Sequence, residues 1–255
     1  MLPKIIVEKM DMDLNVNLMC RFVDPVFCNK NKTRPFAERS YLLYPELRGK
    51  IADGMSKEEI NQLVRPSVEK VYINQKNEME AKIELLQSEF DKIQEQLMSA
   101  MLELFQLDWP KEQENIICYV GCISSFPRNV MTKEFFVSYE KDIPMLMMAS
   151  IHEINHFVVF EKWKSMHGYD KQQEPLYPDT LWFLEEMLVD PTLNIDHIQR
   201  VAPYPQKAYD QFYERIIGTM SAEEHLIQMF TNRNFIEEFM DDAYAFIEMN
   251  KSVLL

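Results

Sequence analysis

One stretch of the chain decides its fold: residues 142–167 read DIPMLMMASIHEINHFVVFEKWKSMH. Asp142 suits the N-cap of a helix, Pro144 suits its first turn, and Gly168 offers a stop after it. Between these ends, residues 145–160 are apolar on nearly every side of a helix. A helix that is apolar all round is buried, so the pattern predicts a central helix with the rest of the chain packed around it.

Two histidines and a glutamate interrupt this apolar helix: His152, Glu153 and His156. Histidines four residues apart lie on the same face of a helix, so both imidazoles can hold one Zn²⁺. Glu153, one position along, can then act as general base toward a water that the metal activates. The alternative is a pair of core histidines satisfied by hydrogen bonds, with Glu153 as a salt-bridge partner. Burying these groups without a shared ligand or network is costly, which favours the metal.

A third zinc ligand is predicted in a second, shorter helix over residues 181–190, which Pro191 is expected to end. Glu186 and Asp190 are four residues apart and share a face of that helix. Glu186 can therefore bind the metal while Asp190 accepts the distal N–H of a zinc-bound histidine. The alternative is an exposed acidic helix face, but the apolar neighbours of these residues leave little solvated surface.

These five residues resemble the metal-binding pattern of the gluzincin metallopeptidases, the thermolysin-like and aminopeptidase-like branch of the zincins. That family has H-E-x-x-H followed by a downstream helix with E-x-x-x-D, matched here by His152, Glu153, His156, Glu186 and Asp190. The resemblance covers residues 152–190. It implies a zincin-like catalytic domain that holds one Zn²⁺ per chain and hydrolyses peptide bonds of a peptide or protein substrate.

The chain departs from the family pattern at three points. Glu185 stands where thermolysin-like enzymes carry asparagine before the ligand, which makes Glu185 an alternative ligand. The step of 30 residues from His156 to Glu186 is longer than in those enzymes. The G-x-M-E-N segment with which aminopeptidases hold a free amino terminus does not occur in the sequence.

The resemblance also implies two features around the metal. A tyrosine or histidine across the cleft is expected to stabilise the oxyanion. The candidates that follow the second helix are His197, Tyr204, Tyr209, Tyr213 and His225. In zincins an edge strand just before the active helix typically binds substrate as an added strand, and residues 135–139 are placed to do so.

Other classes of protein share part of the motif. A metzincin needs a third histidine six residues after the second, but that position is Lys162, so the sequence excludes this class. Glu153-x-x-His156 is also the E-x-x-H unit of di-iron bundles, which need a second such unit that the sequence lacks. A zincin-fold protein that works by binding or regulation remains the alternative from a different function class. The intact Glu153 speaks against it, since a binding role needs no general base.

The rest of the pattern predicts an α+β protein that is predominantly α-helical, with a small sheet and a long N-terminal helix. The first fifty residues look irregular, and helix is expected from the capping box of Ser56 and Glu59 onward. Apolar spacing predicts a long helix over residues 68–106, which serves either as a packed brace or as half of a coiled coil. We expect an N-terminal helical region at residues 1–110 and the zincin-like domain at residues 111–255.

Two stretches rich in β-branched and aromatic side chains, residues 116–122 and 135–139, are the predicted strands. Toward the C-terminus, Ser221 and Glu224 form a second capping box, and residues 235–249 have helical apolar spacing. These helices are expected to close the catalytic domain.

The composition and charge of the chain restrict the partners and the cellular compartment that we expect for it. The 255 residues carry a net charge of −14, without the clustered Lys/Arg surface that nucleic acid binding needs. No run reaches the roughly 18–20 uninterrupted apolar residues of a membrane span, and the N-terminus lacks an export-signal pattern. We therefore expect a cytoplasmic protein that binds no membrane, and the oligomeric state stays open.

The four cysteines are expected to be free thiols, because a chain of this length folds without disulfides. Three residues separate Cys118 and Cys122, a spacing that argues against a structural zinc site made from them.

Overall fold

A computed structural model describes residues 2–31, 35–204, 207 and 209–255 of the chain. It confirms a predominantly helical α+β fold with a small mixed sheet. The helices are α1 (Met12–Val23), α2 (Pro25–Lys30), α3 (Phe36–Leu43), α4 (Lys57–Asn74), α5 (Lys76–Leu104), α6 (Ile143–His167), α7 (Thr180–Met187), α8 (Val189–Leu193), α9 (Asp196–Val201), α10 (Asp210–Glu214), α11 (Ala222–Asn232) and α12 (Ile236–Leu254). The strands are β1 (Lys4–Lys9), β2 (Asn115–Gly121), β3 (Arg128–Asn129), β4 (Glu134–Ser138), β5 (Ile216–Ile217) and β6 (Met220–Ser221).

The main sheet has the order β1-β2-β4-β3, with β1, β2 and β4 parallel and β3 antiparallel to β4. β2 and β4 confirm the two predicted strands to within one residue at each end. The prediction that the first fifty residues are irregular is wrong, because β1 and three helices lie there. β1 is held by pairing with β2, more than a hundred residues away, and local periodicity does not reveal such a partner.

The placement of residues 135–139 at the sheet edge is also wrong. β4 lies between β2 and β3, and the Phe136 amide donates to the carbonyl of Pro127 at 3.0 Å. The edges of the sheet are therefore β1 and β3, the latter a two-residue strand in the connection between the predicted strands.

The predicted helix over residues 68–106 is two helices, α4 and α5, which meet at Gln75. The break lets α4 pack on α1 while α5 packs along β1 and α6. Pro66 lies inside α4 without ending it, and the Ser56 capping box at its start is confirmed. Because α5 buries Leu86, Phe90 and Leu97 within the chain, it acts as the predicted brace.

The central helix is confirmed as α6, with Asp142 as N-cap and Gly168 at its end. By length and composition α6 could cross a membrane, but 67% of its apolar 18-residue window is buried inside the protein. Packing against α5, β4, α7 and α8 therefore accounts for its apolar sequence. Gly168 has a φ of 73°, a backbone conformation that strongly favours glycine at the end of a helix.

The second predicted helix is split into α7 and α8. Asp179 caps α7, but Pro191 does not end the segment as predicted. It lies in the first turn of α8, where proline is tolerated because its nitrogen needs no helical partner. The boundary at Leu188 leaves Glu185 and Glu186 on α7 and places Asp190 on α8.

The predicted division after residue 110 passes through shared structure. β1 pairs with β2 in one sheet, and one cluster of buried apolar residues extends over both parts of the chain. The C-terminal predictions are confirmed, since Ser221 caps α11 in a capping box and α12 covers residues 236–254. All four cysteines are free thiols, as predicted.

Candidate metal centre

The packing of α7 on α6 brings together three side chains that were predicted to bind metal: His152, His156 and Glu186. One ligand atom from each lies within 4.8 Å of the others. Glu186 Oε2 is 3.6 Å from Nε2 of His152 and 3.5 Å from Nε2 of His156. The helical spacing of the histidines fixes two ligands, and the tertiary contact of α7 supplies the third.

The proton position on His156 follows from its neighbour. Its Nδ1 lies 3.1 Å from the backbone carbonyl oxygen of Glu185, which can accept a hydrogen bond but not donate one. Nδ1 therefore carries the hydrogen. Burial, reinforced by the positive charge of Arg128, holds the pKa of His156 well below its usual range. The ring is neutral, and Nε2 presents a lone pair toward Glu186.

Two buried hydrogen-bond acceptors face each other at the centre, and neither has a donor in the described part of the chain. His156 Nε2 and Glu186 Oε2 have no hydrogen-bond partner among the residues that the structure describes. Both are acceptors, so a cation between them would satisfy each. Ligands at about 2.0–2.1 Å from a tetrahedral Zn²⁺ stand about 3.4 Å apart, close to the separations seen here. The donor set and its spacing therefore fit zinc.

His152 is oriented by a tyrosine. Its Nδ1 lies 2.9 Å from the hydroxyl of Tyr204, while its Nε2 faces Glu186. Tyr204 was a candidate for the oxyanion-stabilising group, but its hydroxyl lies against Nδ1 of His152, the ring nitrogen that does not face Glu186. Its position corresponds to the role predicted for Asp190, that of orienting a histidine ligand.

Glu153 lies beside the ligands with a side chain that is only 9% exposed. Burial raises the pKa of Glu153 to about 7, against the lowering effect of His152 and Arg128. Its Oε2 has no hydrogen-bond partner in the described part of the chain. A carboxyl group with such a pKa can take up and release a proton near neutral pH.

Arg128 of β3 enters the same cluster, and sequence reasoning missed it. Its Nη1 lies 3.1 Å from Glu186 Oε1 and 3.8 Å from Glu153 Oε2, while its Nη2 lies 2.8 Å from Glu185 Oε2. Burial would raise the pKa of Glu186, but the positive charge of Arg128 holds it well below its usual range. For Glu185, burial prevails over Arg128 and raises the pKa to about 8.

Glu185 is not placed as the alternative ligand that the sequence allowed. Its carboxylate is turned to Arg128 and its carbonyl to His156. The presence of two adjacent glutamates in an apolar helix signals a buried cation nearby. Nothing local marks Arg128 as that cation, because it lies 57 residues away.

The remaining predicted site residues are distributed differently. The hydroxyl of Tyr213 donates to Asp190 at 2.8 Å, so Asp190 binds a tyrosine, and Tyr213 is directed to that carboxylate. The Nδ1 atoms of His152 and His156 face Tyr204 and the Glu185 carbonyl instead. His225 lies at the Ile217 carbonyl and packs on Phe246.

Tyr209 is the second predicted oxyanion candidate that contacts His152. Its ring meets His152 edge-on, with 5.6 Å between the ring centroids. His197 lies in α9. Of the five candidates, Tyr204 and Tyr209 are the two with ring contacts to a ligand histidine.

Comparison with known proteins adds no relative. No protein-family model, curated protein or solved structure matches the chain. What the chain does is therefore inferred from the geometry of its own residues.

Proposed function

We propose that the chain is a zinc-dependent peptide-bond hydrolase of the gluzincin type, with His152, His156 and Glu186 as the metal ligands. One observation carries the proposal: the buried lone pairs of His156 Nε2 and Glu186 Oε2 converge with His152, and no described hydrogen-bond donor satisfies them. Glu153 lies next to them with a pKa suited to proton transfer.

The charges of the cluster support a divalent ion. Three buried carboxylates, Glu153, Glu185 and Glu186, are opposed by one guanidinium, that of Arg128. Ionising all four groups leaves two negative charges uncompensated in a buried site, a costly arrangement that accords with the raised pKa of Glu153 and of Glu185. A bound Zn²⁺ would neutralise the two charges.

The proposed reaction divides the work between metal and protein. Zinc held by these ligands supplies a Lewis acid that polarises the scissile carbonyl and lowers the pKa of water. Glu153 takes the proton from the attacking water and delivers it to the leaving amine. Tyr209 is the candidate for stabilising the oxyanion, since its ring lies against His152.

The edge position of β3 suggests how a substrate approaches. Arg128 links β3 directly to the proposed ligand Glu186, so we infer that a peptide added at the edge of β3 would lie near the metal. The side chains of His152 and Glu153 are 12% and 9% exposed, which favours an extended peptide over a folded protein surface.

A second candidate function is a zincin-fold protein that binds or regulates a partner without catalysis. The observation that favours it is Arg128, because a guanidinium paired with Glu186 and Glu185 partly neutralises the cluster without metal. The unsatisfied Nε2 of His156 favours the hydrolase instead.

Glu153→Gln tests the proposed hydrolase. We expect the variant to bind zinc as the unmodified protein does, and to lose activity by about 10²–10⁴-fold, because the amide is not a base. Turnover of a fluorogenic peptide library and zinc content are measured on the same preparations. Glu112→Gln, an exposed site before β2, is the matched control and should change neither quantity. Undiminished turnover in Glu153→Gln would contradict the role of Glu153 as general base.

A further inference from the structure

The two oxygens of Glu186 have different surroundings. Oε1 accepts a hydrogen bond from Arg128 Nη1 at 3.1 Å. Oε2 points at the Nε2 atoms of His152 and His156 and has no hydrogen-bond partner within the described residues. A carboxylate with both oxygens free can bind a metal through two atoms. With Oε1 engaged, Glu186 offers one.

Arg128 is suited to hold the carboxylate in this way. Its planar guanidinium bridges two adjacent carboxylates, with Nη1 on Glu186 and Nη2 on Glu185 at 2.8 Å. Because its N–H groups point in fixed directions, the guanidinium fixes the orientation of the two carboxylates as well as compensating their charge. A lysine ammonium compensates charge without fixing orientation. The side chains of both glutamates are 1% exposed and that of Arg128 is 12% exposed, so water competes little for these bonds.

The backbone that carries Arg128 is itself anchored. β3 pairs with β4, and the next residue but one, Val130, is held at both polar groups. Its amide donates to the Glu174 carboxylate at 3.1 Å, and its carbonyl accepts from the buried Lys133 ammonium. Lys133 is paired with Glu161 of α6 at 2.6 Å. The strand is thus tied to the helix that bears the histidines.

We propose that Arg128 is the positioning residue of the metal centre: together with Glu185 it presents Glu186 to the metal through Oε2 alone. This inference rests on the proposed function. It assigns Glu185 a part in holding Arg128, which explains the second buried glutamate beside the ligand.

The direction of the effect on metal affinity separates this role from simple electrostatics. Arg128 is a cation close to a cation site, so its removal strengthens metal binding if only charge matters. If Arg128 positions Glu186, its removal weakens binding, since loss of a partner that orients a ligand typically costs about 10–100-fold in metal affinity.

The test measures the zinc dissociation constant of the full chain by competition with a chromogenic chelator at one pH. We expect Arg128→Met to weaken binding by about 10–100-fold. Arg128→Lys should also weaken it, because one ammonium cannot bridge both carboxylates. Arg48→Met, at an exposed pair with Glu38, is the control and should bind as the unmodified protein does.

Visible absorption of the Co²⁺-loaded protein gives a second readout. A freed Glu186 carboxylate binds through both oxygens, so Arg128→Met should lose the intense bands of four-coordinate Co²⁺. A merely structural arginine would lower the melting temperature and leave spectrum and affinity unchanged. Glu185→Gln keeps the shape of the side chain and should weaken zinc binding in the same direction, which covers the case of an Arg128 variant that does not fold.

The outcomes distinguish the two proposals. If the unmodified chain binds no zinc, the proposed function fails and this inference fails with it. If the unmodified chain binds zinc, but folded Arg128→Met or Glu185→Gln binds it equally or more tightly with the same Co²⁺ spectrum, the role of Arg128 is overturned while the hydrolase proposal stands.

Discussion

His156 illustrates how single residues build the centre. Its spacing from His152 was readable in the sequence, because a helix puts residues four apart on one face. Its tautomer was not, since the proton position depends on a carbonyl of α7. The same holds for Arg128, which reaches the ligands through the tertiary placement of β3. The types of the site residues and their helical spacing could be predicted from the sequence. The partners of the other ring nitrogen of each histidine and of the other carboxylate oxygen of Glu186 could not, because they depend on tertiary packing.

Glu223 and Glu224 are neighbours with opposite pH behaviour. Burial, with the negative charge of Asp190, raises the pKa of Glu223 well above its usual range. Hydrogen bonds from Ser221 lower the pKa of Glu224. When folding raises the pKa of a carboxyl group, the fold has its full stability below about pH 4.5 and loses stability as the pH rises. When folding lowers the pKa, the added stability is present above about pH 4.5 and is lost as the pH falls.

We therefore expect Glu223→Gln to stabilise the fold more at pH 8 than at pH 5, because it removes a carboxyl that ionises freely in the unfolded chain but is opposed in ionising by burial and by Asp190 in the fold. Glu224→Ala, the neighbouring control, should destabilise the fold by nearly the same amount at pH 8 and at pH 5, because its lowered pKa places the loss of this stability below about pH 4.5. Urea denaturation at both pH values measures the free energy of unfolding. A Glu223→Gln effect that is the same at both would contradict the burial argument.

At the scale of elements, α5 completes the sheet with side chains. Gln94 Oε1 accepts from the Ile5 amide at 2.9 Å, and Gln87 Oε1 accepts from the Val7 amide at 2.7 Å. Gln87 also donates to the Ile5 carbonyl. Two glutamines seven residues apart on one helix thus cover the open edge of β1, which protects it from pairing with another chain.

Replacing Gln87 or Gln94 by leucine should cost about 1–3 kcal/mol each, since a strand amide loses its acceptor. Chemical denaturation of each variant measures this. Gln96→Leu, on the exposed side of the same helix, should stay within about 0.5 kcal/mol of the unmodified protein. Equal effects at positions 87, 94 and 96 would show that the edge contacts contribute nothing.

These elements also show where sequence reasoning succeeds. α6, β2 and β4 have strong local patterns and were predicted nearly to their ends. β1 and the break at Gln75 were missed, because both depend on where the chain packs. Pro191 was predicted to end the helix, because proline usually does so. A new helix, α8, begins at Val189, and proline is tolerated in its first turn.

At the scale of the whole molecule, the candidate metal centre connects several elements of the fold. Its proposed ligands come from α6 and α7, and Arg128 comes from the sheet that also contains β1. A bound metal should therefore stabilise the entire chain rather than one loop. For the proposed hydrolase, the net charge of −14 would favour basic or neutral peptides over acidic ones as substrates through long-range steering.

Zinc at about 100 times its dissociation constant should add about 2.7 kcal/mol to the free energy of unfolding. For a chain of this size the melting temperature should then rise by roughly 5–10 °C. Differential scanning calorimetry with and without zinc measures the shift. His156→Asn should abolish it, whereas His167→Asn, at the exposed end of the same helix, should retain it. A shift that survives in His156→Asn would place the zinc elsewhere.

The metal content of the purified chain tests the central claim most directly. Elemental mass spectrometry is applied to protein prepared without a chelator or a metal-affinity tag, with Glu186→Gln and His167→Asn alongside. We predict about one zinc per chain in the unmodified protein and in His167→Asn, and its loss in Glu186→Gln. No zinc in the unmodified chain, even after dialysis against it, would contradict the hydrolase proposal and leave the binding protein as the better account.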